Sequence, residues 1–179
     1  VERDGRPWRR VSVRVAAEAG LSPGTRLDRE RARTLARLLR RERAEQLALR
    51  TLARQDVSRE TLASRLARAG VGADVREDVV ERATKAGLVD DARYAASRAH
   101  TLGRRSGDLL ILDDLRRHGV DEQVAREAVD ALDSESERVA RIVAARGASA
   151  RTLRHLTSRG FSDESLEALV AEVASGSLG

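Results

Sequence analysis

The sequence contains no cysteine, only two prolines and only three aromatic side chains. The lack of cysteine excludes disulfide bonds, thiol nucleophiles and thiolate metal sites, and it agrees with a reducing compartment. No apolar run approaches the roughly 20 residues that cross a bilayer, and no apolar signal segment follows the basic N-terminus. We therefore expect a cytoplasmic protein that does not insert into a membrane.

Charge dominates what the sequence does contain. Charged residues make up 35% of the chain against 2% aromatic residues, a balance that favours amphipathic helices over aromatic-rich sheets. The net charge of +5 is uneven, because residues 1–54 hold 15 arginines against 7 acids and residues 106–179 hold 9 against 14. A basic half indicates an anionic partner such as nucleic acid. Surface solvation is the alternative, since Lys85 is the only lysine and the arginine excess partly reflects coding bias.

Three segments of the sequence resemble one another. Each has a helix that ends in glycine, an apolar residue, a short polar link and a second helix. The segments are RLARAGVGADVREDVVERA (65–83), DLRRHGVDEQVAREAVDAL (114–132) and HLTSRGFSDESLEALVAEV (155–173). Gly70, Gly119 and Gly160 stand where a left-handed residue ends a helix, and the apolar residue that follows each supplies the hydrophobic contact of such a stop. The spacing predicts tandem units of one design.

Apolar residues recur every three to four positions on both sides of each glycine, which predicts one apolar stripe per helix. The stripes after the glycines are Val75, Val79, Val80 and Ala83; Val124, Ala128, Val129 and Leu132; and Leu166, Leu169, Val170 and Val173. The stripes before them are Leu62 and Leu66, Ile111 and Leu115, and Leu153 and Leu156. A further helix precedes each pair, at about 42–54, 91–102 and 135–146.

We therefore predict an all-α fold of three tandem three-helix repeats that form an elongated, curved array. Repeat 1 spans 42–89, repeat 2 spans 90–133 and repeat 3 spans 134–175. Side chains that accept hydrogen bonds from free first-turn amides mark the helix starts. These predicted caps are Ser58, Asp74, Asp90, Asp121, Ser149 and Ser162.

The N-terminal extension, residues 1–41, has a different pattern. Asp4 and Gly5 form a predicted turn between strand-prone residues, which indicates a small β-hairpin, and a short helix then stops at Gly20. A helix at 28–41 has Ala32, Leu35, Leu38 and Leu39 on its apolar face. The opposite face carries a stripe of arginines, Arg29, Arg33, Arg37 and Arg40. At the other end of the chain, residues 176–179 form a predicted disordered tail.

The sequence offers no constellation of residues that would carry catalysis. GRRSG (103–107) lacks the spacing and the preceding strand of a phosphate loop, which argues against nucleotide binding. His100, His118 and His155 fall in different units without metal-ligand spacing, so we interpret them as surface or packing residues. Capping and ion pairing explain the pairs Asp90/Asp91 and Asp113/Asp114. We expect a protein that is not an enzyme and needs neither a cofactor nor a metal.

Arginines from successive units predict a basic groove as the binding surface. They are Arg65, Arg68, Arg104, Arg105, Arg116, Arg117, Arg151 and Arg154, with the stripe Arg29, Arg33, Arg37 and Arg40 as a second candidate. Binders of free single strands usually place aromatic rings among the basic residues, but Trp8, Tyr94 and Phe161 are scattered. Free DNA is therefore a doubtful principal target, and a protein–nucleic-acid filament suits the groove better.

Several segments resemble a known bacterial family. LVDDARYA (88–95) resembles the L-x-D-D-x-R-[FY]-A segment that opens the second repeat of RecX family proteins. ALRTLARQDVSRETLASRLARAGV (48–71) and GDLLILDDLRRHGV (107–120) are similar to the family patterns of the first repeat and of the helix that follows the motif. VSVRVAAEAGLSPGTRL looks like the N-terminal extension of many members. Leu110 and His118 depart from the family, which often has basic residues there.

The resemblance implies a monomeric regulator that binds the RecA filament on single-stranded DNA and modulates, mostly by inhibition, its ATPase, recombinase and coprotease activities in DNA repair and the SOS response. It implies no cofactor. Direct binding to DNA would be weak. Two alternatives stay open from the residues alone: a general DNA-binding protein that uses its helix pairs as helix-turn-helix modules, and a protein–protein scaffold without nucleic acid.

Overall fold

The computed structural model of the protein describes residues 2–3, 6–7 and 10–176. The predicted turn at Asp4 and Gly5, the Trp8 side chain and the last three residues of the predicted tail lie outside the described residues. Extended backbone in this described part is limited to β1 (Glu2–Arg3) and β2 (Arg6–Pro7), which pair antiparallel. The rest of the regular structure is helical, and the all-α fold is confirmed.

Ten helices follow one another along the described residues. They are α1 (Val13–Glu18), α2 (Arg29–Leu52), α3 (Arg59–Arg68), α4 (Ala73–Lys85), α5 (Asp91–Gly103), α6 (Asp108–Arg117), α7 (Glu122–Asp130), α8 (Glu135–Arg146), α9 (Ala150–Ser158) and α10 (Asp163–Gly176). Helix α10 includes Gly176, so the prediction that the disordered tail begins there is wrong. Within the described part of the chain, no helix combines the length and apolar character that crossing a bilayer requires.

The prediction of two separate helices at 28–41 and 42–54 is wrong, because α2 is one continuous helix of 24 residues. The sequence between the two predicted helices, RRERAEQ, contains neither glycine nor proline, and all its residues tolerate a helix interior. Nothing therefore ends the helix near residue 41. The side chain of Asp28 caps it by accepting a hydrogen bond from the backbone N–H of Arg31.

Most of the predicted helix starts are confirmed. The side chains of Ser58, Asp90, Asp121, Ser149 and Ser162 each accept a hydrogen bond from a backbone N–H two or three residues ahead. The cap predicted at Asp74 is wrong, because Gly72 occupies the N-cap position of α4 and Asp74 lies within the first turn. There its negative charge still faces the positive end of the helix dipole.

The glycines that punctuate the repeats end their helices as predicted. Gly70, Gly119 and Gly160 have φ of 77°, 72° and 75°, in the left-handed region that favours glycine. The helices after Gly119 and Gly160 pack back on the helices before them, whereas α4, which follows Gly70, packs on α2.

Contacts within the chain define two compact units, the first made of residues 1–56 and 62–89 and the second of residues 57–61 and 90–179. In the first unit, α1 packs on α2 through a cluster of Val15, Ala19, Leu35 and Leu39. Leu62, Leu66, Val79, Val80 and Ala83 are buried as predicted. Ala32 is exposed, so its predicted place on the apolar face is wrong.

The second unit holds two hydrophobic clusters, each formed by three consecutive helices. Helices α5, α6 and α7 enclose Tyr94, Ile111, Leu115, Ala128 and Val129, among others. Helices α8, α9 and α10 enclose Val139, Leu156, Phe161, Leu166 and Leu169. Val170 was predicted to lie in the last stripe but is 47% exposed. Each of these triplets is a three-helix repeat, whereas the exact limits of the repeats stay a prediction.

Candidate functional site

A cleft in the second unit brings together arginines from two of its three-helix repeats. It encloses about 570 Å³ where the end of α5, the α5–α6 loop, the α7–α8 loop, α8 and α9 meet. Its lining includes five arginines and one aspartate. The charged and histidine residues are Arg104, Arg105, Arg138, Arg141, Arg146, Asp133, His100 and His155, and the apolar ones include Leu132, Ile142 and Ala145.

The cleft arginines differ in how they are neutralised. Arg141 is paired with Asp133 at 2.6 Å, and Arg138 is paired with Asp108. Arg104, Arg105 and Arg146 are exposed and form no ion pair with an acid of the described residues. Three guanidinium groups thus remain available to an anion that enters the cleft. Guanidinium donors suit the paired oxygens of phosphate and carboxylate groups.

A second hollow of about 370 Å³ adjoins the cleft. Its lining is Arg146, Ser149, Arg151, Thr152 and His155. Because Arg146 and His155 line both spaces, the two form one continuous basic surface. Arg151, at the start of α9, extends this surface beyond the main cleft.

The loop between α5 and α6, residues 104–107, is fixed by two arginines from repeat 3. Arg138 donates hydrogen bonds to the carbonyls of Gly103 and Ser106 at 3.5 and 3.1 Å. Arg159 donates to the carbonyl of Arg105 at 3.0 Å, and its own carbonyl accepts from the N–H of Gly107 at 2.9 Å. The backbone of the loop is therefore bound to repeat 3, while the Arg104 and Arg105 side chains face solvent.

Arg138 is the most deeply buried charge near the cleft, with 4% of its surface exposed. Its guanidinium pairs with Asp108 and lies 5.8 Å from the centre of the Phe161 ring, while its Nε atom has no hydrogen-bond partner. Burial raises the pKa of Asp108 against the opposing attraction of Arg138. An unsatisfied buried donor costs stability, and the other contacts of Arg138 must offset that cost.

Glu135, the first residue of α8, links α6 to α10. Its carboxylate accepts hydrogen bonds from the backbone N–H of Asp108 at 2.6 Å and of Ser162 at 3.0 Å. Burial of Glu135 opposes its ionisation, but the hydrogen bonds from Ser162 and from these backbone groups outweigh burial and lower its pKa. The charged form is therefore the one that joins these helix starts.

The structure brings together only part of the predicted groove. Arg104 and Arg105 line the cleft, and Arg151 lines the adjoining hollow. Arg154, on α9, lines neither space. Arg116 and Arg117 are exposed on α6, and Arg117 is paired with Asp113.

In the first unit, Arg65 and Arg68 lie on α3, with Arg65 partly buried and Arg68 exposed. The second candidate stripe lies on the first half of α2, where all four side chains are exposed. Its members are Arg29, Arg33, Arg37 and Arg40.

Sequence reasoning missed the partners of Arg104 and Arg105 in the cleft. Arg141 and Arg146 belong to α8, in another repeat, and no local pattern marks them. His100 and His155 were interpreted as separate surface or packing residues, but both line the cleft. His118 does pack, with its ring 5.9 Å from that of Tyr94. Among the described residues, no three acidic or histidine side chains are grouped as metal ligands would be.

Comparison with known proteins places the chain among its relatives. A family model described as "RecX, second three-helix domain" matches residues 90–129. The chain is 35% identical over 134 residues to the regulatory protein RecX of Chromohalobacter salexigens, with 69% of this chain and 88% of that protein covered. It is 32% identical to the regulatory protein RecX of Thermobifida fusca, with 67% and 72% covered. The chain belongs to the RecX family.

Solved structures from the RecX family share the fold. A crystal structure of regulatory protein RecX matches with a TM-score of 0.75 at 22% identity, covering 95% of this chain and 92% of that one. RecX from Lactobacillus salivarius matches with a TM-score of 0.63 at 18% identity, covering 75% and 97%. The chain spans little more than half of some relatives, since its alignment with RecX of Mycobacterium marinum, 37% identical over 101 residues, covers 55% of this chain and 58% of that protein.

The structure explains the two aspartates and the tyrosine of the RecX motif LVDDARYA. Asp90 caps α5 by accepting from the N–H of Arg93 at 3.0 Å. Asp91 instead accepts from the N–H of Arg59, the first residue of α3, at 2.8 Å. Tyr94 is buried in the core of repeat 2. The two adjacent aspartates therefore cap two different helices, α5 and α3. The sequence-based explanation of this pair by capping and ion pairing did not predict that Asp91 would cap α3.

Proposed function

We propose that the protein is a cytoplasmic, monomeric regulator that binds the RecA filament on single-stranded DNA and inhibits its ATPase, recombinase and coprotease activities. Membership of the RecX family supports a regulatory role, since the relatives are named regulatory proteins. The observation that carries the proposal is the basic cleft, with five arginines against one aspartate. A regulator that recognises a filament needs a surface of this kind rather than a reacting centre.

The contact residues in this proposal are the cleft arginines of the second unit and the arginines predicted in each unit. Those in the second unit are Arg104, Arg105, Arg116, Arg117, Arg151 and Arg154, joined by Arg141 and Arg146; those in the first unit are Arg65 and Arg68, with Arg29, Arg33, Arg37 and Arg40 as a secondary stripe. A filament presents both phosphates and acidic side chains, and exposed arginines bind either.

The pair α6–α7 supports a second candidate function. Its two helices are joined by a short turn at Gly119, the arrangement of helix-turn-helix modules that bind duplex DNA. This candidate requires no RecA. Its weakness is α7, whose exposed side chains include Glu122 and Glu127, because a recognition helix with acids on its surface would repel phosphates.

A binding experiment separates these functions. The full chain is mixed with bare single-stranded DNA, bare duplex and RecA-coated single-stranded DNA at several salt concentrations, and binding is followed by gel shift. The filament proposal expects preferential capture by the RecA-coated strand. A general DNA binder shows equal or tighter binding to bare duplex with a steep loss as salt rises. A protein–protein scaffold without nucleic acid binds none of the three.

A further inference from the structure

We infer that the α5–α6 loop, residues 104–107, is a phosphate-contact loop for a nucleic-acid strand, and that Arg138 and Arg159 are the residues that position it. The inference rests on the proposed function, in that the partner carries nucleic acid, and it names which residues of the protein face the strand. It assigns the cleft to DNA rather than to the protein part of the filament.

The backbone contacts of the loop support its role as a fixed platform. The carbonyls of Gly103, Arg105 and Ser106 all accept hydrogen bonds from guanidinium groups of repeat 3, and the N–H of Gly107 is bound as well. Arg104 and Arg105 are consequently held on a rigid support, which reduces the entropy lost when they bind a ligand.

Arg138 combines contacts that another residue type cannot make. One planar guanidinium reaches two backbone carbonyls and the carboxylate of Asp108 while it covers the face of Phe161. Lysine keeps the charge but lacks the fork of donors, so it cannot hold the carbonyls and the carboxylate together.

The lining of the cleft favours nucleic acid over an acidic peptide. A bound peptide brings N–H donors that need acceptors, but the side chains around the cleft offer one carboxylate, Asp133, which is already paired with Arg141. A DNA strand brings phosphates, which only accept hydrogen bonds, and the cleft offers the unpaired guanidinium groups of Arg104, Arg105 and Arg146. The volume of about 570 Å³ suits one nucleotide, with Leu132 and Ile142 against its sugar or base.

The test measures binding of a fluorescent oligothymidylate to the full chain by anisotropy over a series of salt concentrations. Each lost phosphate contact on a single strand lowers the salt slope by about 0.7. We expect the double variant R104A/R105A to lose roughly tenfold in affinity and about 1.4 in slope. The control is R126M, which removes one exposed arginine of α7 outside the cleft and should leave affinity unchanged within about twofold.

The positioning role is tested with variants that leave all cleft guanidinium groups of the loop in place. R138K keeps the charge. If Arg138 positions the loop, R138K should lose affinity and salt slope as R104A/R105A does. If Arg138 has only a structural role, the slope should stay unchanged because the charge is the same. R159M tests the same loop without touching a buried charge, so it decides the question if R138K does not fold. Wild-type slopes in R159M and in any folded R138K overturn the positioning role.

Competition assigns the ligand. Unlabelled oligothymidylate should displace the probe, whereas polyglutamate and ATP at the same charge concentration should not. Equal displacement by polyglutamate overturns the phosphate assignment, and equal displacement by ATP overturns the strand assignment. If the variants bind DNA normally yet no longer inhibit RecA, this inference fails while the proposed function stands. If they lose DNA binding and the wild type never inhibits RecA, the proposed function fails alone.

Discussion

The carboxylate of Asp91 accepts a hydrogen bond of 2.8 Å from the backbone N–H of Arg59, the first residue of α3. Glu135 makes the same kind of bond, at 2.6 Å, to the N–H of Asp108, the first residue of α6. Asp91 and Glu135 are each the first residue of the first helix of a repeat. The same position in two repeats thus satisfies a free amide at the start of a helix other than its own.

These caps make a measurable contribution to stability. We expect E135Q to lower the free energy of unfolding by about 1–3 kcal/mol, because a charged acceptor of several hydrogen bonds is replaced by a neutral amide. Urea denaturation of the full chain measures it. The matched control is E172Q, on the exposed surface of α10, for which we expect a change within about 0.5 kcal/mol. Equal effects of the two substitutions would show that Glu135 does not join the helix starts.

Close backbone approach at Gly107 predicts a sharp contrast between two glycines. Gly72 and Gly107 are both N-cap residues with negative φ, −59° and −76°. A Cβ at Gly107 would lie 2.0 Å from the carbonyl oxygen of Gly160, whereas a Cβ at Gly72 meets nothing within 4 Å. G107A should therefore lower the thermal midpoint strongly, at a cost of several kcal/mol.

The control substitution, G72A, should cost about 0.5–1 kcal/mol, because glycine is preferred to alanine at an N-cap. Thermal melts of both variants followed by circular dichroism provide the comparison. Similar midpoints for G72A and G107A would mean that α6 does not pack against the α9–α10 turn as described.

Leu115 tests the core of repeat 2. It is fully buried, at 0% exposure, while Leu109 on the same helix is 66% exposed. L115D places a charge in an apolar core without a partner, and we expect a loss of several kcal/mol or an unfolded protein. L109D should stay folded. Denaturation midpoints measure both, and a stable L115D would contradict the assignment of this stripe to the core.

The pair Arg98–Asp114 predicts a pH dependence within repeat 2. Arg98 donates to both carboxylate oxygens, at 2.8 and 2.9 Å, and these hydrogen bonds lower the pKa of Asp114. Stability from a carboxyl whose pKa is lowered on folding is fully present above its unfolded value, about 3.9, and is lost as pH falls through the lower folded value.

The corresponding measurement compares the wild type and D114N by urea denaturation from neutral to acid pH. At neutral pH we expect D114N to be less stable by about 1 kcal/mol, a modest figure because both partners are partly exposed. The difference should vanish in acid, below the folded pKa of Asp114. D113N, which breaks an exposed pair with Arg117, is the control and should show a smaller difference. A D114N deficit that persists in acid would contradict the pair as its source.

Much of the fold could be predicted from local patterns. The in-phase apolar residues and the three left-handed glycines identify helix pairs, because both features depend only on neighbours along the chain. The continuity of α2 was missed because the change from the basic extension to the first repeat was interpreted as a helix boundary. A helix continues where no residue ends it, and a change in charge does not end a helix.

The candidate site could be predicted only in part. Arg104 and Arg105 were identified as a basic loop, but Arg141 and Arg146 join them through the packing of repeat 3 on repeat 2, which leaves no local signal. Arg138 is a charged residue on α8, yet it is buried because it binds the carbonyls of a loop some 30 residues earlier. Long-range hydrogen bonds to backbone carbonyls have no sequence signature.

Inhibition of the RecA ATPase on single-stranded DNA tests the central claim most directly. A filament binder can act at one position, whereas a competitor for bare DNA must cover the lattice. We expect ATP hydrolysis to fall at a ratio well below one molecule of this protein per RecA subunit, and to stay inhibited when single-stranded DNA is in excess. Inhibition that appears only when the protein matches the available DNA sites, and that vanishes with excess DNA, would contradict filament regulation.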